Sequence, residues 1–364
     1  MRALIASGGT GGHFYPGYAL ARELAARGHE SLFLLRKGDP AGPRLDALGL
    51  PWTELDLSGL PRRPSKAWLT LPVRTARGLW TVRAIVRAWQ PDVVVGMGGY
   101  LTLPAALAGR LRGVPVVLHE SNAVLGLANR LCRPLSDALA LGLPSAEGTK
   151  GVLTGTPLRP ELLERGEAEP ARRGLGLDPA LTTVLVLGGS QGARALNRLA
   201  APALAAARAS VGTLQALHLA GKDGETEARA AYAAAQVPAV VLSYLDGMDR
   251  AYAASELAVC RAGASTLAEL AAQRLPALLV PYPHAAGDHQ DANARVLESA
   301  GAALRLPEAG LDAARLGAAA ASVLGSTEKR RAMADAYASL GLPPARDSAR
   351  LLADLVEKAA KRAI

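Results

Sequence analysis

The sequence predicts an α/β protein built from two parallel sheets, each of them doubly wound. Short apolar runs alternate with helical segments along the chain, which is the pattern of parallel strands joined by crossover helices. In addition, the N-terminal unit of strand, glycine-rich turn and helix is repeated at residues 183–193. Since ligands of such sheets bind beyond the carboxyl ends of the strands, the turns after the strands are the candidate site.

The N-terminal half begins with the apolar run 3–6, a predicted buried strand that leads into the turn Ser7-Gly8-Gly9-Thr10-Gly11-Gly12-His13. A helix is predicted from Tyr18, shortly after Pro16, to Arg27. Later predicted elements are the strands 32–35, 93–95 and 114–118 and a helix over 104–110. We expect the turns after the strands 3–6, 93–95 and 114–118 to share one edge of the sheet.

The pattern breaks around residues 154–160, and a proline-bounded polar stretch follows to about Leu181. We place the interdomain linker at the start of this stretch, after which the C-terminal half repeats the organisation of the first. We therefore expect an N-terminal domain of residues 1–157 and a C-terminal domain of residues 158–344, both Rossmann-like and facing each other. The predicted strands of this half are 183–187 and 278–280, and residues 257–266 echo the earlier turn at 96–100. An amphipathic helix follows at 347–361.

Composition indicates a globular protein, because half of the 364 residues are apolar and a fifth are charged. The two cysteines, Cys132 and Cys260, stand apart and form no metal-binding pattern, which favours a reduced, cytoplasmic setting. We expect no signal peptide, because strand-like residues begin at position 3. Glycines and a proline interrupt the uncharged stretch 93–109, so we do not expect it to span a membrane.

The net charge of +9 is concentrated in residues 57–91, which hold seven basic and no acidic residues. Arginines mixed with tryptophans are compatible with nucleic acid, with a solvated helix face, or with an anionic membrane surface. We favour the membrane surface and expect no nucleic acid partner. The residues expected to form the membrane patch are Trp68, Leu69, Arg74, Arg77 and Trp80.

The glycine-rich turns suit phosphate groups, but they do not match the standard nucleotide motifs. The G-x-G-x-x-G pattern fails at Phe14 in the first turn and at Ser190 in the second. The P-loop motif is absent from the sequence. For each turn, the alternative to phosphate binding is a purely structural role.

His13 is the candidate general base, because it ends a glycine turn at the carboxyl edge of the sheet and an imidazole titrates near neutrality. A capping or buried histidine is the alternative. We expect His119, His29 and His218 to be structural.

Two polar segments of the C-terminal half suit a sugar nucleotide. Glu269 lies one helical turn after Gly263 and could accept hydrogen bonds from two ribose hydroxyls, although a solvated helix position is the alternative. Residues 284–293 are rich in amide and imidazole groups, which can hydrogen-bond to sugar hydroxyls. We favour this role over the alternative, a solvated loop without a ligand.

Taken together, these motifs resemble those of the MurG family, the N-acetylglucosaminyltransferases that convert lipid I to lipid II in peptidoglycan synthesis. The resemblance spans about residues 8–293, with the motifs in family order. The matching stretches are Gly8 to His13, Gly96-Met97-Gly98-Gly99-Tyr100, His119-Glu120-Ser121-Asn122, Gly188-Gly189-Ser190-Gln191-Gly192-Ala193, Arg261-Ala262-Gly263-Ala264 with Glu269, and Asp288-His289-Gln290 with Asn293.

The resemblance implies a GT-B fold, with a cleft between the domains and a C-terminal helix, 345–364, that packs back on the first domain. It implies an inverting hexosyltransferase that uses UDP-GlcNAc without a cofactor and has His13 as its base. We expect activity without a metal ion, because the sequence contains no Asp-x-Asp motif of the kind that metal-dependent glycosyltransferases use. Gly98, Gly99 and Tyr100 would lie on the acceptor side. The residues matching donor-binding positions are Thr10, Gly11, Gly12, Asn122, Arg159, Ser190, Leu245, Ala264, Ser265, Thr266, Leu267, Ala268, Glu269, Gln290 and Asn293.

Within that donor set, the resemblance gives individual roles. Ser190 and Arg159 would contact the phosphate or sugar end, Leu245 the uracil and Glu269 the ribose. Gln290 and Asn293 would bind the GlcNAc hydroxyls.

The implied partners are UDP-GlcNAc, undecaprenyl-linked lipid I, an anionic membrane surface and further cell-wall synthesis proteins. The implied location is peripheral, on the cytoplasmic face of the cell membrane. Two alternatives remain at this point, a UDP-GlcNAc epimerase of the same fold and a non-catalytic protein that binds a sugar nucleotide.

Overall fold

The computed structural model describes residues 1–8, 11–57, 67–189 and 192–362, with the backbone alone for residues 67–76. The chain divides into two compact units. Unit 1 comprises Met1–Pro160 and Pro343–Ile364, and unit 2 comprises Glu161–Leu342.

Unit 1 is an α/β unit with a parallel sheet. Its strands are β1 (Arg2–Ala6), β2 (Glu30–Arg36), β3 (Trp52–Leu55), β4 (Val93–Gly96), β5 (Val116–Glu120), β6 (Ala138–Leu141) and β7 (Val152–Leu153). Its first helices are α1 (Gly11–Ala26), α2 (Gly42–Ala47), α3 (Ala67–Trp89), α4 (Thr102–Arg110) and α5 (Leu127–Cys132). The strand order is β3-β2-β1-β4-β5-β6-β7.

Unit 2 has the same architecture. Its helices are α6 (Ala168–Gly174), α7 (Arg194–Val211), α8 (Glu225–Ala234), α9 (Met248–Ala253), α10 (Ala264–Gln273), α11 (His289–Ala300), α12 (Ala313–Leu324) and α13 (Thr327–Ala336). Its parallel strands are β8 (Thr182–Leu187), β9 (Leu214–Leu219), β10 (Ala239–Leu242), β11 (Leu257–Cys260), β12 (Ala277–Leu279) and β13 (Ala303–Arg305), in the order β10-β9-β8-β11-β12-β13.

A last helix, α14 (Ala345–Lys361), belongs to unit 1 and packs on α1. Its apolar residues Leu352 and Val356 are fully buried in the same core cluster as Leu20 and Leu24 of α1. At the rim of this contact, Arg27 pairs with Asp354 and Glu357 of α14.

Side chains of β1 alternate between the two faces of the unit 1 sheet, as the strand period of two requires. Ala3 and Ile5 pack with α1 and α14 on one face. Leu4 and Ala6 pack with α3 and α4 on the other face. Both faces are therefore covered by helices, which explains why the strand sequences are almost continuously apolar.

The carboxyl ends of the paired strands lie close together in register in both sheets, so the turns that follow them form one edge in each unit. In unit 1, Leu34, Ala6, Gly96, Leu118 and Leu139 are register partners from strand to strand. In unit 2, Leu242, Leu219, Leu187, Cys260 and Leu279 are partners in the same way. The prediction that the turns after β1, β4 and β5 share one edge is confirmed.

Most predicted element ends differ from the structure by one or two residues, and the ends of α1 and β5 have a clear physical reason. Helix α1 begins at Gly11 rather than after Pro16, because a proline removes one backbone hydrogen bond without ending this helix. Strand β5 extends to Glu120, so His119 and Glu120 are its last residues rather than part of the following loop. The apolar run alone did not reveal that polar residues continue this buried strand.

Candidate active site

His13 lies in the first turn of α1, at the carboxyl edge of the unit 1 sheet. Its Nδ1 is 2.8 Å from the carbonyl oxygen of Met97, which directly follows β4. A carbonyl oxygen only accepts hydrogen bonds, so Nδ1 carries the proton and donates it. In the neutral ring the lone pair is therefore on Nε2, the nitrogen that can take a proton from a hydroxyl.

The backbone at His13 is held by Ser7, the fully buried residue that follows β1. Ser7 Oγ donates a hydrogen bond to the carbonyl oxygen of His13 at 2.7 Å. Space for this hydroxyl depends on Gly17, where a Cβ would lie 3.1 Å from Ser7 Oγ. The sequence placed Ser7 at the start of the glycine-rich turn but gave it no role, and its position between a strand and a helix is the signal that could have indicated one.

The turn after β4 packs directly on the imidazole of His13. Gly98 has φ +94°, and a Cβ there would lie 2.9 Å from His13 Cε1. A Cβ on Gly99, where φ is +76°, would lie 3.6 Å from His13 Cδ2. Gly98 therefore provides both the left-handed backbone and the space that the ring occupies.

The loop after β5 is organised by Glu120, whose side chain is almost completely buried. One carboxylate oxygen accepts hydrogen bonds from the backbone N and the Nδ2 of Asn122, at 3.0 and 2.8 Å. The other accepts from Gly126 N and from Asn129 Nδ2, both at 2.9 Å. Four hydrogen bonds compensate the burial of this charge and fix the side chain of Asn122.

His119 is fully buried, and burial lowers its pKa to about 4, so its ring is neutral at physiological pH. Its Nε2 lies 3.4 Å from the carbonyl oxygen of Gly155. This environment is that of a structural histidine, as the sequence predicted.

Two further predicted site residues belong to unit 1. Tyr100 is half-buried, and burial raises the pKa of its hydroxyl. The guanidinium carbon of Arg159 lies 4.4 Å from the ring centroid of Tyr15, which is a cation–π contact. Tyr15 also accepts a hydrogen bond from Arg44 through its hydroxyl, so the ring is held from two sides.

In unit 2, the described glycines of the second turn, Gly188, Gly189 and Gly192, lie between β8 and α7. A Cβ on Gly188 would lie 2.2 Å from Ala193 N, and one on Gly192 would lie 2.4 Å from the carbonyl oxygen of Ala220. Gly189 and Gly192 both have positive φ, at +82° and +72°. Side chains at Gly188 and Gly192 would collide with backbone, so these two positions require glycine.

Glu269 lies in α10, one turn from the helix start at the carboxyl edge of the unit 2 sheet. Its Oε2 accepts a hydrogen bond of 2.6 Å from the hydroxyl of the fully buried Tyr252. The Oγ of Ser265, in the first turn of the same helix, is shielded from solvent and has no hydrogen-bond partner among the described residues. Tyr252 was missed because it is distant in sequence from the motif that it orients.

Polar groups from the loop after β12 and from α11 lie at the same edge. Asn293 is fully buried, and its Nδ2 donates to the carbonyl oxygen of Ala262 at 3.0 Å. Gln290 Oε1 accepts from the backbone N of Tyr282 at 3.0 Å. Leu245 is half-buried in the loop that follows β10.

The guanidinium of Arg261 connects the ends of β11 and β12. Its Nη1 donates to the carbonyl oxygen of Val280 at 3.1 Å and lies 2.5 Å from Glu308 Oε2. The ring of Tyr282 lies 5.4 Å from the guanidinium carbon. The sequence identified Arg261 as part of a motif, and the structure indicates that it holds the two loops together.

Helix α3 turns a basic and aromatic face to solvent. Trp80 is 71% exposed, and the guanidinium carbon of Arg83 lies 5.9 Å from its ring. Arg77 and Arg87 are exposed one and two turns away on the same side. Over the described ranges, no helix is both long and apolar enough to cross a membrane.

Several predicted residues lie outside what the structure describes. Thr10 and Ser190 belong to the undescribed positions of the two glycine turns. Trp68, Leu69 and Arg74 lie in α3, where the backbone alone is described.

The described residues that were predicted to bind the donor or face the acceptor divide between the two units. Unit 1 contains Gly11, Gly12, His13, Gly98, Gly99, Tyr100, Asn122 and Arg159. Unit 2 contains Leu245, Ala264, Ser265, Thr266, Leu267, Ala268, Glu269, Gln290 and Asn293. Among the described residues, no group of three His, Cys, Asp or Glu side chains is arranged to hold a metal ion.

Comparisons with known proteins agree with this two-part organisation. The family model of the glycosyltransferase family 28 N-terminal domain matches residues 3–140, and that of the family 28 C-terminal domain matches residues 183–350. The crystal structure of Acinetobacter baumannii MurG is similar, with a TM-score of 0.79 and 27% identity, covering 98% of this chain and 99% of that one.

Two curated relatives are similar over nearly their whole length. Both are named UDP-N-acetylglucosamine–N-acetylmuramyl-(pentapeptide) pyrophosphoryl-undecaprenol N-acetylglucosamine transferase. The protein from Ectopseudomonas mendocina is 41% identical, covering 98% of each chain. The protein from Halorhodospira halophila is 41% identical, covering 94% of this chain and 95% of the relative. On this evidence the chain is a glycosyltransferase of the GT-B fold and belongs to the MurG family.

Proposed function

We propose that this chain transfers N-acetylglucosamine from UDP-GlcNAc to the C4 hydroxyl of the N-acetylmuramyl residue of lipid I, which gives lipid II. Family membership and the names of the curated relatives support this pair of substrates. The observation that carries the chemistry is the hydrogen bond from His13 Nδ1 to the Met97 carbonyl oxygen, because it assigns the lone pair to Nε2.

His13 is the proposed general base of a single inverting displacement. The C4 oxygen of the acceptor attacks the anomeric carbon of GlcNAc, the bond from that carbon to UDP breaks, and UDP leaves with the electron pair. Nε2 of His13 takes the hydroxyl proton, directly or through a water. Attack opposite the leaving group converts the α-linked donor into a β-1,4-linked product.

The leaving group gains negative charge as the bond to UDP breaks. The backbone amides at the start of α7, together with the guanidinium of Arg159, are the proposed stabilising groups. Helix α7 is suited to this role because it begins directly after the glycine turn of residues 188–192. This assignment uses groups of the chain itself and requires no metal ion.

Unit 2 is the proposed donor-binding unit. Glu269 would accept hydrogen bonds from the ribose hydroxyls, and its contact with Tyr252 supports this role by orienting the carboxylate. Gln290 and Asn293 would bind the GlcNAc hydroxyls, and the backbone at Leu245 would bind the uracil. The turn of Gly98, Gly99 and Tyr100, in unit 1, is proposed to face the acceptor.

We also propose that unit 1 binds an anionic membrane surface through α3, on the cytoplasmic face of the cell membrane. The exposed Trp80 with Arg77, Arg83 and Arg87 on the same side supports this assignment, since tryptophan suits the membrane interface and arginine the lipid phosphates. The prediction that this chain has cell-wall synthesis proteins as partners remains a prediction.

Incubation with UDP-[¹⁴C]GlcNAc, with and without a lipid I analogue, tests the proposed reaction. We expect the label to move into the lipid fraction only when the acceptor is present. A changed free sugar nucleotide would instead indicate an epimerase, and binding without either change would indicate a non-catalytic protein.

The base assignment is tested with His13→Ala. We expect loss of transfer by a factor of about 10² or more, with UDP affinity retained, because a general base contributes to the rate and not to donor binding. His29→Ala is the matched control, since His29 is a partly exposed histidine of unit 1 that pairs with Glu357. Normal turnover by the His13 variant contradicts the assignment.

A further inference from the structure

A buried chain of polar side chains lies directly behind the glycine turn of unit 2. His218 of β9, Asn197 of α7 and Tyr232 of α8 are all almost completely buried. His218 Nε2 is 3.0 Å from Asn197 Oδ1, and His218 Nδ1 is 3.2 Å from the hydroxyl of Tyr232. Asn197 Nδ2 donates to the carbonyl oxygen of Ala220 at 2.9 Å.

The direction of these hydrogen bonds is fixed from one end. Ala220 presents a carbonyl oxygen, so the amide nitrogen of Asn197 faces it and the amide oxygen faces His218. Nε2 of His218 must then carry the proton, and Nδ1 accepts from the hydroxyl of Tyr232. Burial lowers the pKa of His218 to about 4, which agrees with a neutral ring in this arrangement.

The carbonyl oxygen of Ala220 also lies against Gly192 of the glycine turn. A Cβ on Gly192 would lie 2.4 Å from this oxygen, so the turn approaches it as closely as glycine allows. Asn197 itself is confined, because a Cβ on Gly224 would lie 2.0 Å from its Nδ2. A shift of Asn197 is therefore transmitted to the Ala220 carbonyl group and to Gly192, which have no space to absorb it.

We propose that Asn197, held by His218, is a positioning residue for the turn that binds the diphosphate of UDP-GlcNAc. The inference rests on the proposed function, which assigns the turn of residues 188–192 to that diphosphate. Asn197 and His218 touch no substrate in this role. They fix the position of the Ala220 carbonyl oxygen, and thereby the positions of Gly192 and of the start of α7.

Two substitutions of His218 separate positioning from packing. His218→Leu removes the hydrogen bond to Asn197, and we expect the Kd of UDP and the KM of UDP-GlcNAc to rise about 10-fold, with the acceptor KM unchanged. His218→Gln retains an N–H donor where Nε2 stands, and we expect it to restore both constants to within about threefold of wild type. Tyr232→Phe removes the outermost hydrogen bond alone and is expected to change UDP affinity in the same direction by a smaller factor.

Tyr337→Phe is the matched control, because it removes a buried hydrogen bond of unit 2 that lies at the opposite, amino end of the sheet. The Tyr337 hydroxyl donates to the carbonyl oxygen of Leu275 at 2.8 Å. This variant is expected to lower the melting temperature without changing UDP affinity. Calorimetric titration with UDP and thermal unfolding are measured on all the variants.

The inference is overturned if those His218 and Tyr232 variants that fold bind UDP with the affinity of the wild type. It is likewise overturned if Tyr337→Phe weakens UDP binding as much as His218→Leu does. It is also overturned if the wild-type protein does not bind UDP. Failure of the proposed function has a different signature: wild-type protein that binds UDP but moves no label into lipid I. In that case the UDP affinities of the variants still decide the role of Asn197 and His218.

Discussion

Substitution of Gly98 by alanine tests whether the position of the His13 ring controls the rate. The added Cβ would lie 2.9 Å from His13 Cε1 and 3.0 Å from Nδ1. Ordinary carbon contacts begin at about 3.5 Å, so the ring has to withdraw by roughly 0.6 Å. The same movement strains the hydrogen bond from Nδ1 to Met97, which fixes the orientation of the ring.

A misplacement of about 1 Å at a reacting group costs on the order of 10²-fold in rate. We therefore expect kcat of Gly98→Ala to fall by a factor of about 10 to 10². Alanine at φ +94° also costs about 1–2 kcal/mol of stability, because the left-handed region is unfavourable for residues with a Cβ. The control therefore has to lose the same stability without displacing the His13 ring.

Gly28→Ala is that control, since Gly28 has φ +77° and a Cβ there would meet nothing within 4 Å. Transfer of label from UDP-[¹⁴C]GlcNAc to a lipid I analogue is measured over a range of acceptor concentrations up to saturation, with thermal unfolding in parallel. We expect both variants to lose similar stability and Gly98→Ala alone to lose kcat. A rise in acceptor KM with unchanged kcat would refute the argument, because it would indicate a blocked acceptor and not a displaced base.

Three more predictions follow from the structure and the sequence. The first concerns His119 and His218, whose folded pKa of about 4 lies below the unfolded value of about 6.5. Each of these two histidines should lower the unfolding free energy by about 2 kcal/mol between pH 7 and pH 5, because the unfolded state binds the proton more readily. Urea unfolding measures this loss, and an unfolding free energy that does not change over this pH range contradicts it. Trp80→Glu should weaken binding to phosphatidylglycerol vesicles about 10-fold in sedimentation assays. Leu48→Glu, an exposed position on the opposite face of unit 1, should not, and equal effects would argue against the membrane patch. Transfer should persist in EDTA, since the sequence contains no Asp-x-Asp motif; activity restored only by added metal would contradict this.

The order and type of the main elements could be predicted from the sequence because parallel strands buried on both faces are written as continuous apolar runs. The strand predicted at 183–187 agrees with β8 in its carboxyl end and differs by one residue at its start. Polar positions at element ends were harder: His119 and Glu120 continue β5 because their side chains find buried partners, which no local pattern reveals.

The candidate site was predictable to the level of which residues lie at the carboxyl edges, because a glycine-rich turn after an apolar strand has a fixed place in a parallel sheet. His13 is the example, since its position at the end of such a turn is sufficient to place it there. The contacts that define its chemistry were not predictable. Ser7 and Met97 act on His13 through a hydroxyl and a carbonyl group that sequence patterns do not distinguish from ordinary ones.

The sequence by itself determined the two α/β halves, the glycine turns and the family, because local hydrophobic periodicity and short motifs are properties of neighbouring residues. Only the tertiary structure decided which nitrogen of His13 carries the proton, how Glu120 fixes Asn122, and that His218 supports the second glycine turn through Asn197. These features depend on hydrogen bonds between residues far apart in the chain, and their direction is set by which atoms the fold brings within about 3 Å of each other.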